Sequence, residues 1–272
     1  MNIKKIKNIF NSLFKIVKQP VMRILPGQIA FFLVLSIFPL LTLIGVIASF
    51  FSISVSSLTV MIKDAFPVEV TDMLVPFIQG KGFDTNIFIS MILGFYLASN
   101  GTHSIILASN MLYKVDNNDH IKRRVKSFFL IILLLSLFIF LLAFLTFGNK
   151  IFKMILGLIY TNFPHFIYNL FVLLKWPFAI FIIYMIIKLV YTIAPDINIK
   201  SKTTTKGAIF TTVGWTLATA IYSYYVSNFT NYDIFYGSIS NVIVLMTWVY
   251  ILSYILVIGI AINAKNNEYN KE

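Results

Sequence analysis

Phe128-Phe-Leu-Ile-Ile-Leu-Leu-Leu-Ser-Leu-Phe-Ile-Phe-Leu-Leu142 carries no charge and a single hydroxyl. A helix at the surface of a soluble domain keeps a polar face for water, and this run has none. It does not alternate either, as a barrel strand must where lumen and lipid faces differ. In hydrocarbon such a run has to satisfy its own backbone, and a helix does so alone. The charge-free stretch around it, Ser127–Asn149, is long enough to cross. At 1.5 Å per residue, a core of ~30 Å needs roughly 20 helical residues.

Working outward, four more stretches lack Asp, Glu, Lys and Arg over a comparable length: Ile29–Ser52, Thr85–Tyr113, Gly207–Tyr232 and Ile234–Ala264. A sixth, Ile167–Ala194, holds Lys175 and Lys188 towards its ends, where long stems can reach the headgroups. Trp176-Pro177 beside Lys175 marks an outer boundary. The expected fold is all-α: a polytopic membrane protein with six transmembrane helices. Residues 2–18 read as an amphipathic interfacial helix, with Ile3, Ile6, Phe10, Leu13, Phe14 and Val17 at three- and four-residue spacing and lysines opposite. The organisation is then a cytoplasmic interfacial segment at 1–25, a six-helix domain at 26–264 and a short cytoplasmic tail at 265–272.

Composition agrees. Of 272 residues, 58% are hydrophobic and 12% charged, whereas soluble domains carry about a quarter charged. A net charge of +12 could point to nucleic acid, but the placement of the charges explains it. Sixteen lysines and arginines fall in the ends and connectors assigned to one side, and four (Lys63, Lys81, Lys150, Lys153) on the other. That asymmetry predicts an inner-membrane protein with both termini cytoplasmic. The expected partners are membrane lipids, with anionic headgroups at the cytoplasmic face; self-association is open and no nucleic acid is expected. The basic N-terminus precedes too long an apolar run for a signal peptide, so it reads as retained. With no cysteine, thiolate metal sites and cysteine nucleophiles are excluded.

Gln19-Pro20 and Pro26-Gly27 punctuate the approach to the first span, and Pro39 predicts a kink or break within it. Residues 53–84 and 150–166 read as external segments with short interfacial helices, the second broken by Asn162-Phe-Pro164. No carboxylate falls inside a predicted span, which argues against a carboxylate proton relay. The histidines, His103, His120 and His165, lack metal-ligand spacing, and no cofactor is expected. Asp116-x-x-Asp119-His120 is the one compact set that a hydrolase could use, and metal-assisted phosphodiester cleavage wants more. Small residues in Gly45–Ser49, Gly94–Ala98 and Gly259–Asn263 read as helix-packing surfaces.

A more specific pattern lies near the C-terminus. Tyr225-Val-Ser-Asn-Phe-Thr-Asn-Tyr-Asp-Ile-Phe-Tyr-Gly-Ser-Ile-Ser240 runs into Val242-Ile-Val-Leu-Met-Thr-Trp-Val-Tyr250 and closes on Gly259-Ile-Ala-Ile-Asn-Ala264. Together with Ala30–Pro39, Pro195-Asp196 and Lys206-Gly-Ala208 through Trp215, this resembles the YihY/BrkB family of bacterial inner-membrane proteins, over residues 20–264. The resemblance implies six transmembrane helices, a virulence-factor label for some members, and lipid or envelope-component transport as a suggested role. It brings no set of catalytic residues, and the family's older ribonuclease label is regarded as a misassignment.

The expected function is transport or translocation of a lipid, envelope component or small solute without covalent chemistry, so not an enzyme. A structural or assembly partner in the envelope is the alternative, ahead of a membrane-embedded hydrolase or ribonuclease. Polar groups at helix depth or at the outer turn are the candidates for a cavity or substrate path. They are Asn100, His103, Lys175, Asn228, Asp233, Tyr236, Gly237 and Asn241. Convergence of Asn100, His103, Lys175 and Asn241 on one cavity would favour transport.

Overall fold

A computed structural model describes residues 20–50, 85–116, 119–159, 165–229 and 240–269, with isolated residues at 18, 56, 59–60, 63 and 75. Some helical side chains, including those of 37–50, lie outside that description, as do the expected interfacial helix at 2–18, nearly all of 53–84, and residues 230–239 with the outer turn expected at Tyr236-Gly237. The described residues form six long helices and no strand: α1 Pro20–Phe50, α2 Thr85–Tyr113, α3 His120–Ile159, α4 His165–Ile193, α5 Thr205–Phe229 and α6 Ser240–Tyr269.

Each helix packs against its sequence neighbours, and α6 closes the ring on α1 while also touching α2. Directions alternate. Phe95 stacks on Phe128 while Asn100 meets Arg124, and Phe152 stacks on Phe171 while Lys126 meets Asp196. The seam between α5 and α6 is bonded along its whole length. Gly207 N donates to Asn263 Oδ1 at 2.7 Å, Trp215 Nε1 to the Leu252 carbonyl at 2.9 Å, and the Tyr222 hydroxyl to the Val244 carbonyl at 2.7 Å. The start of α1 and the end of α6 therefore lie at one end of the bundle, called the near end below.

Local chemistry sets the helix ends. Asp119 caps α3, its Oδ1 accepting from the Lys122 backbone N at 2.9 Å, which satisfies a donor of the first turn. Lys114 ends α2 at φ 54°. Val115 N reaches back to the Asn110 carbonyl at 2.9 Å and Lys114 N to that of Met111 at 3.3 Å, the bond pair of a Schellman ending. Pro20 opens α1, where its missing N–H costs nothing.

Three expectations shift. Helix α1 starts inside the stretch read as interfacial and runs on through Pro26-Gly27 and Pro39 without a break, just as α4 runs through Pro177. Second, α6 extends past 264 to Tyr269. Third, 150–159 is no separate external helix but the continuation of α3. At 40 residues, α3 measures about 60 Å, twice a hydrocarbon core. Its distal part is held by Phe152 on Phe171, ring centroids 4.0 Å apart, and by Lys153 over Tyr168 at 4.5 Å.

Among the described residues, Phe166–Ile193 and Val242–Asn267 are long and apolar enough to cross a membrane, and Met22–Ser36 is a shorter apolar stretch. Only 17% of the most apolar window of Phe166–Ile193 is buried. A soluble protein's core helix would be mostly covered, so this surface faces something other than water.

Candidate functional site

The hydrophobic core draws on all six helices but sits towards the near end. Met22, Leu25 and Ile29 meet Ile105, Ile106, Leu130, Ile187, Tyr191, Ala208, Leu256 and Ile260. Polar groups are set into this apolar mass at three places.

The first ties three segments. Asn110 Nδ2 donates to Asp196 Oδ2 at 2.7 Å, and Asp196 N returns a bond to Asn110 Oδ1 at 2.8 Å. Lys126 Nζ forms an ion pair with Asp196 Oδ1 and donates to the Pro195 carbonyl at 3.0 Å and to that of Ala194 at 3.3 Å. The Asp196 side chain is 1% exposed. A carboxylate so deep needs such a cation, and the pair fixes the α4–α5 connection to α2 and α3.

The second is the crossing of α4, α5 and α6. The buried Tyr191 hydroxyl pairs with Thr211 Oγ1 at 2.6 Å and donates to the Leu256 carbonyl at 2.8 Å. Gly207 and Gly259 bring α5 and α6 into backbone contact. A Cβ on Gly207 would sit 2.2 Å from the Gly259 carbonyl oxygen, and one on Gly259 would sit 2.1 Å from Thr211 Oγ1. The small-residue motif at 259–263 thus does pack helices, as its spacing suggests.

The third lies on the α2–α3 seam. Arg124 Nη1 donates to Asn100 Oδ1 at 2.6 Å, with its guanidinium carbon 4.1 Å from the centroid of Tyr96 and 5.0 Å from that of Phe128. Among the described residues, its buried Nη2 has no hydrogen-bond partner, and neither has the buried His103 Nδ1.

Two of the predicted site residues, Asn100 and His103, are brought together here. Lys175 is not with them. It is buried on α4, donating to the Leu145 carbonyl and lying 3.5 Å from Asn149 Oδ1. Leu145 lies 21 residues along α3 from Arg124, about 30 Å of helix. Asn228 is exposed and bonds its own helix, Nδ2 to the Tyr224 carbonyl at 2.8 Å. Asn241 is the second residue of α6, and its side chain lies outside the described residues, as do Asp233, Tyr236 and Gly237 entirely. The compact Asp119-His120 set is engaged locally: Asp119 caps α3, and His120 Nδ1 lies 3.1 Å from Arg123 Nη2. Among the described residues no group of three His, Asp or Glu is placed to hold a metal.

An apolar groove of about 460 Å³ runs between α3 and α4, lined by Phe129, Ile132, Leu133, Ser136, Leu137, Phe140, Ile182 and Ile186. Sequence reading missed it, as it missed Arg124 and Asp196. Charge at 122–126 reads as topology, and a lone loop aspartate gives no hint of a partner 70 residues away.

A profile of the family described as virulence factor BrkB matches residues 19–272. The chain belongs to the BrkB family. The resemblance read from the C-terminal motif is thereby confirmed, and the chain is a membrane protein of a family whose role is not established. Among its relatives, a ribonuclease-like protein, YfkH of Bacillus subtilis, is 26% identical over 242 residues, covering 88% of this chain and 87% of the relative. Two relatives named UPF0761 membrane protein match over shorter spans. That of Glaesserella parasuis is 28% identical over 88 residues, 32% of this chain and 30% of the relative. That of Aeromonas salmonicida is 30% identical over 83 residues, 30% and 29% respectively. No solved structure matches. The ribonuclease-like name is said of the YfkH protein.

Proposed function

We propose that this chain crosses the bacterial inner membrane six times, with both ends cytoplasmic, and moves a lipid, envelope component or small solute without covalent chemistry. The interfacial segment expected at 1–25, shortened by the start of α1 at Pro20, and the tail expected at 265–272, shortened by α6 to Tyr269, then flank a six-helix domain on the cytoplasmic side. Alternating helix directions support an even number of crossings. The near end supports the orientation, since Lys114, Lys122, Arg123, Arg124, Lys126, Lys200, Lys202 and Lys206 gather there.

The observation that carries a transport role is the α3–α4 groove. Its volume falls within the roughly 300–1,000 Å³ range of ligand sites. Its wall is apolar apart from Ser136, whose hydroxyl is turned back to the Ile132 carbonyl at 2.8 Å. In a bilayer such a surface fits an acyl chain or another apolar body better than it fits a hydrated ion.

Reconstitution into liposomes tests this. Phospholipid scrambling or solute flux should exceed that of protein-free vesicles, and Ser136→Phe, which fills the groove, should reduce it severalfold. Wild-type vesicles no leakier than empty ones would exclude transport and leave the envelope-assembly reading. Reporter tags on opposite faces for the two ends would overturn the topology.

A further inference from the structure

The α2–α3 seam holds an arginine whose surroundings are incomplete. Tyr96, Asn100 and His103 are spaced i, i+4, i+7 on α2 and so share a face; Arg124 and Phe128 do the same on α3. Between these faces the guanidinium lies against two aromatic rings and is anchored through Nη1 to Asn100. The anchor fixes the plane of the fork and leaves the buried Nη2 with no acceptor among the described residues. One turn along α2, the buried His103 Nδ1 likewise has no partner among them. Buried polar atoms left unpaired are rare and ask for a missing partner such as an ion or ligand. The contacts of Arg124 among the described residues include no carboxylate, unlike those of Lys126, which is neutralised by Asp196.

We propose that Arg124, set by Asn100 between Tyr96 and Phe128, forms with His103 a seat for the phosphate of a membrane phospholipid headgroup. A planar guanidinium with one edge fixed and the other left unpaired has directed donors to offer a tetrahedral oxyanion. Position favours a lipid over a free phosphate. Arg124 lies three residues before the charge-free run from Ser127, at headgroup depth in the six-span reading, on which this inference rests. Leading away from the seat on the Tyr96 face of α2, Leu93 and Ile89 are exposed, 57% and 50%. Apolar side chains bared next to a phosphate seat give acyl chains a surface, whereas a soluble anion needs none.

The test uses the full chain, delipidated in detergent and titrated with phosphatidylglycerol or with diacylglycerol of the same chains. Native mass spectrometry reads occupancy, and the shift in Tm reads stabilisation. Phosphatidylglycerol should bind about tenfold or more tightly than diacylglycerol. Arg124→Gln should remove most of that preference, as loss of a charge-assisted bond implies. Lys122→Gln, an equal loss of charge at an exposed neighbour, should leave it within about twofold. If Arg124→Gln does not yield folded protein, His103→Phe takes its place and should weaken phosphatidylglycerol severalfold with diacylglycerol unchanged.

Equal binding of the two lipids, or equal effects of Arg124→Gln and Lys122→Gln, would overturn the seat. Displacement of phosphatidylglycerol by millimolar inorganic phosphate would overturn the lipid source and assign the seat to a soluble phosphate. Failure of transport is separable: liposomes without flux, from protein that still prefers phosphatidylglycerol, would sink the transport reading and leave the seat standing.

Discussion

The two ends of the helical bundle are built by different rules. At the near end, large side chains such as Met22, Ile29, Leu130, Tyr191 and Ile260 are fully buried, and polar pairs such as Tyr191 with Thr211 and Lys126 with Asp196 tie one segment to another. Towards the far end, α4 bares Phe166, Leu173, Trp176 and Phe181, and α5 bares Leu217, Ile221 and Tyr224. In lipid, an apolar side chain gains little by leaving the tails for a neighbouring helix. Close packing and polar contacts therefore have to supply specificity. Among the described residues the near end has more of both, while the far end keeps fewer polar ties, such as Lys175 to the Leu145 carbonyl and Tyr222 to that of Val244. Stability should accordingly be concentrated where the connectors are basic and short.

The hardest blow to that arrangement is at the α5–α6 crossing. Gly259→Val would put a Cβ 2.1 Å from Thr211 Oγ1 and 2.3 Å from the Tyr191 hydroxyl. Both neighbours are themselves bonded, so neither can step aside without breaking the Tyr191–Thr211 or the Tyr191–Leu256 contact. Overpacking usually costs about 1–3 kcal/mol, and separation of two bonded helices adds to it. The expected result is loss of monodisperse protein on size exclusion in detergent. A folded variant with an unchanged Tm would mean that the crossing is looser than its geometry.

Next comes the Asn110–Lys126–Asp196 tie. Removing one member of a buried pair costs about 3–5 kcal/mol, because the other is left charged and unpaired. Lys126 is 16% exposed and keeps two carbonyls, so Asp196→Ala should fall at the low end, about 3 kcal/mol. Adding Lys126→Met should restore much of the loss in thermal melts. A double variant no better than the single one would show that Asp196 acts through Asn110 and the connection's backbone instead.

These two sites show what the sequence could and could not reveal. The charge-free run Thr85–Tyr113, read as a span less its polar ends, coincides with helix α2, and its last turn is set within the chain by the Lys114 ending. The end of α3 was misread because Lys150 and Lys153 look like a boundary. Nothing local says that Phe152 will find Phe171, or Lys153 Tyr168, on the next helix and so carry α3 on. Asp196 was visible as half of Pro195-Asp196, yet its role depends on Asn110 and Lys126, 86 and 70 residues away. Arg124 was counted as one of a basic cluster. Its distinction, a missing acceptor, is a property of packing and has no signature in composition. Asn100 and His103 were legible because uncharged polar residues stand out against an apolar helix. Which neighbour they meet was not.

The smallest expected effect sharpens the contrast most. Leu130 and Leu173 are the same residue in long helices, one fully buried near the basic end and the other 71% exposed on α4. Truncating a buried leucine costs about 2–5 kcal/mol through lost contacts and the cavity left behind. An exposed leucine loses neither, so Leu173→Ala should shift stability by less than about 0.5 kcal/mol, read as Tm in detergent beside Leu130→Ala. If Leu173→Ala is as damaging as Leu130→Ala, then α4 is covered in the assembled protein, and a second copy of the chain becomes the first candidate for the cover. Crosslinking or light scattering on the same sample would then show a dimer that dissociates in the variant. A small effect leaves α4 facing lipid, the surface that a helix so apolar and so little buried is built to present.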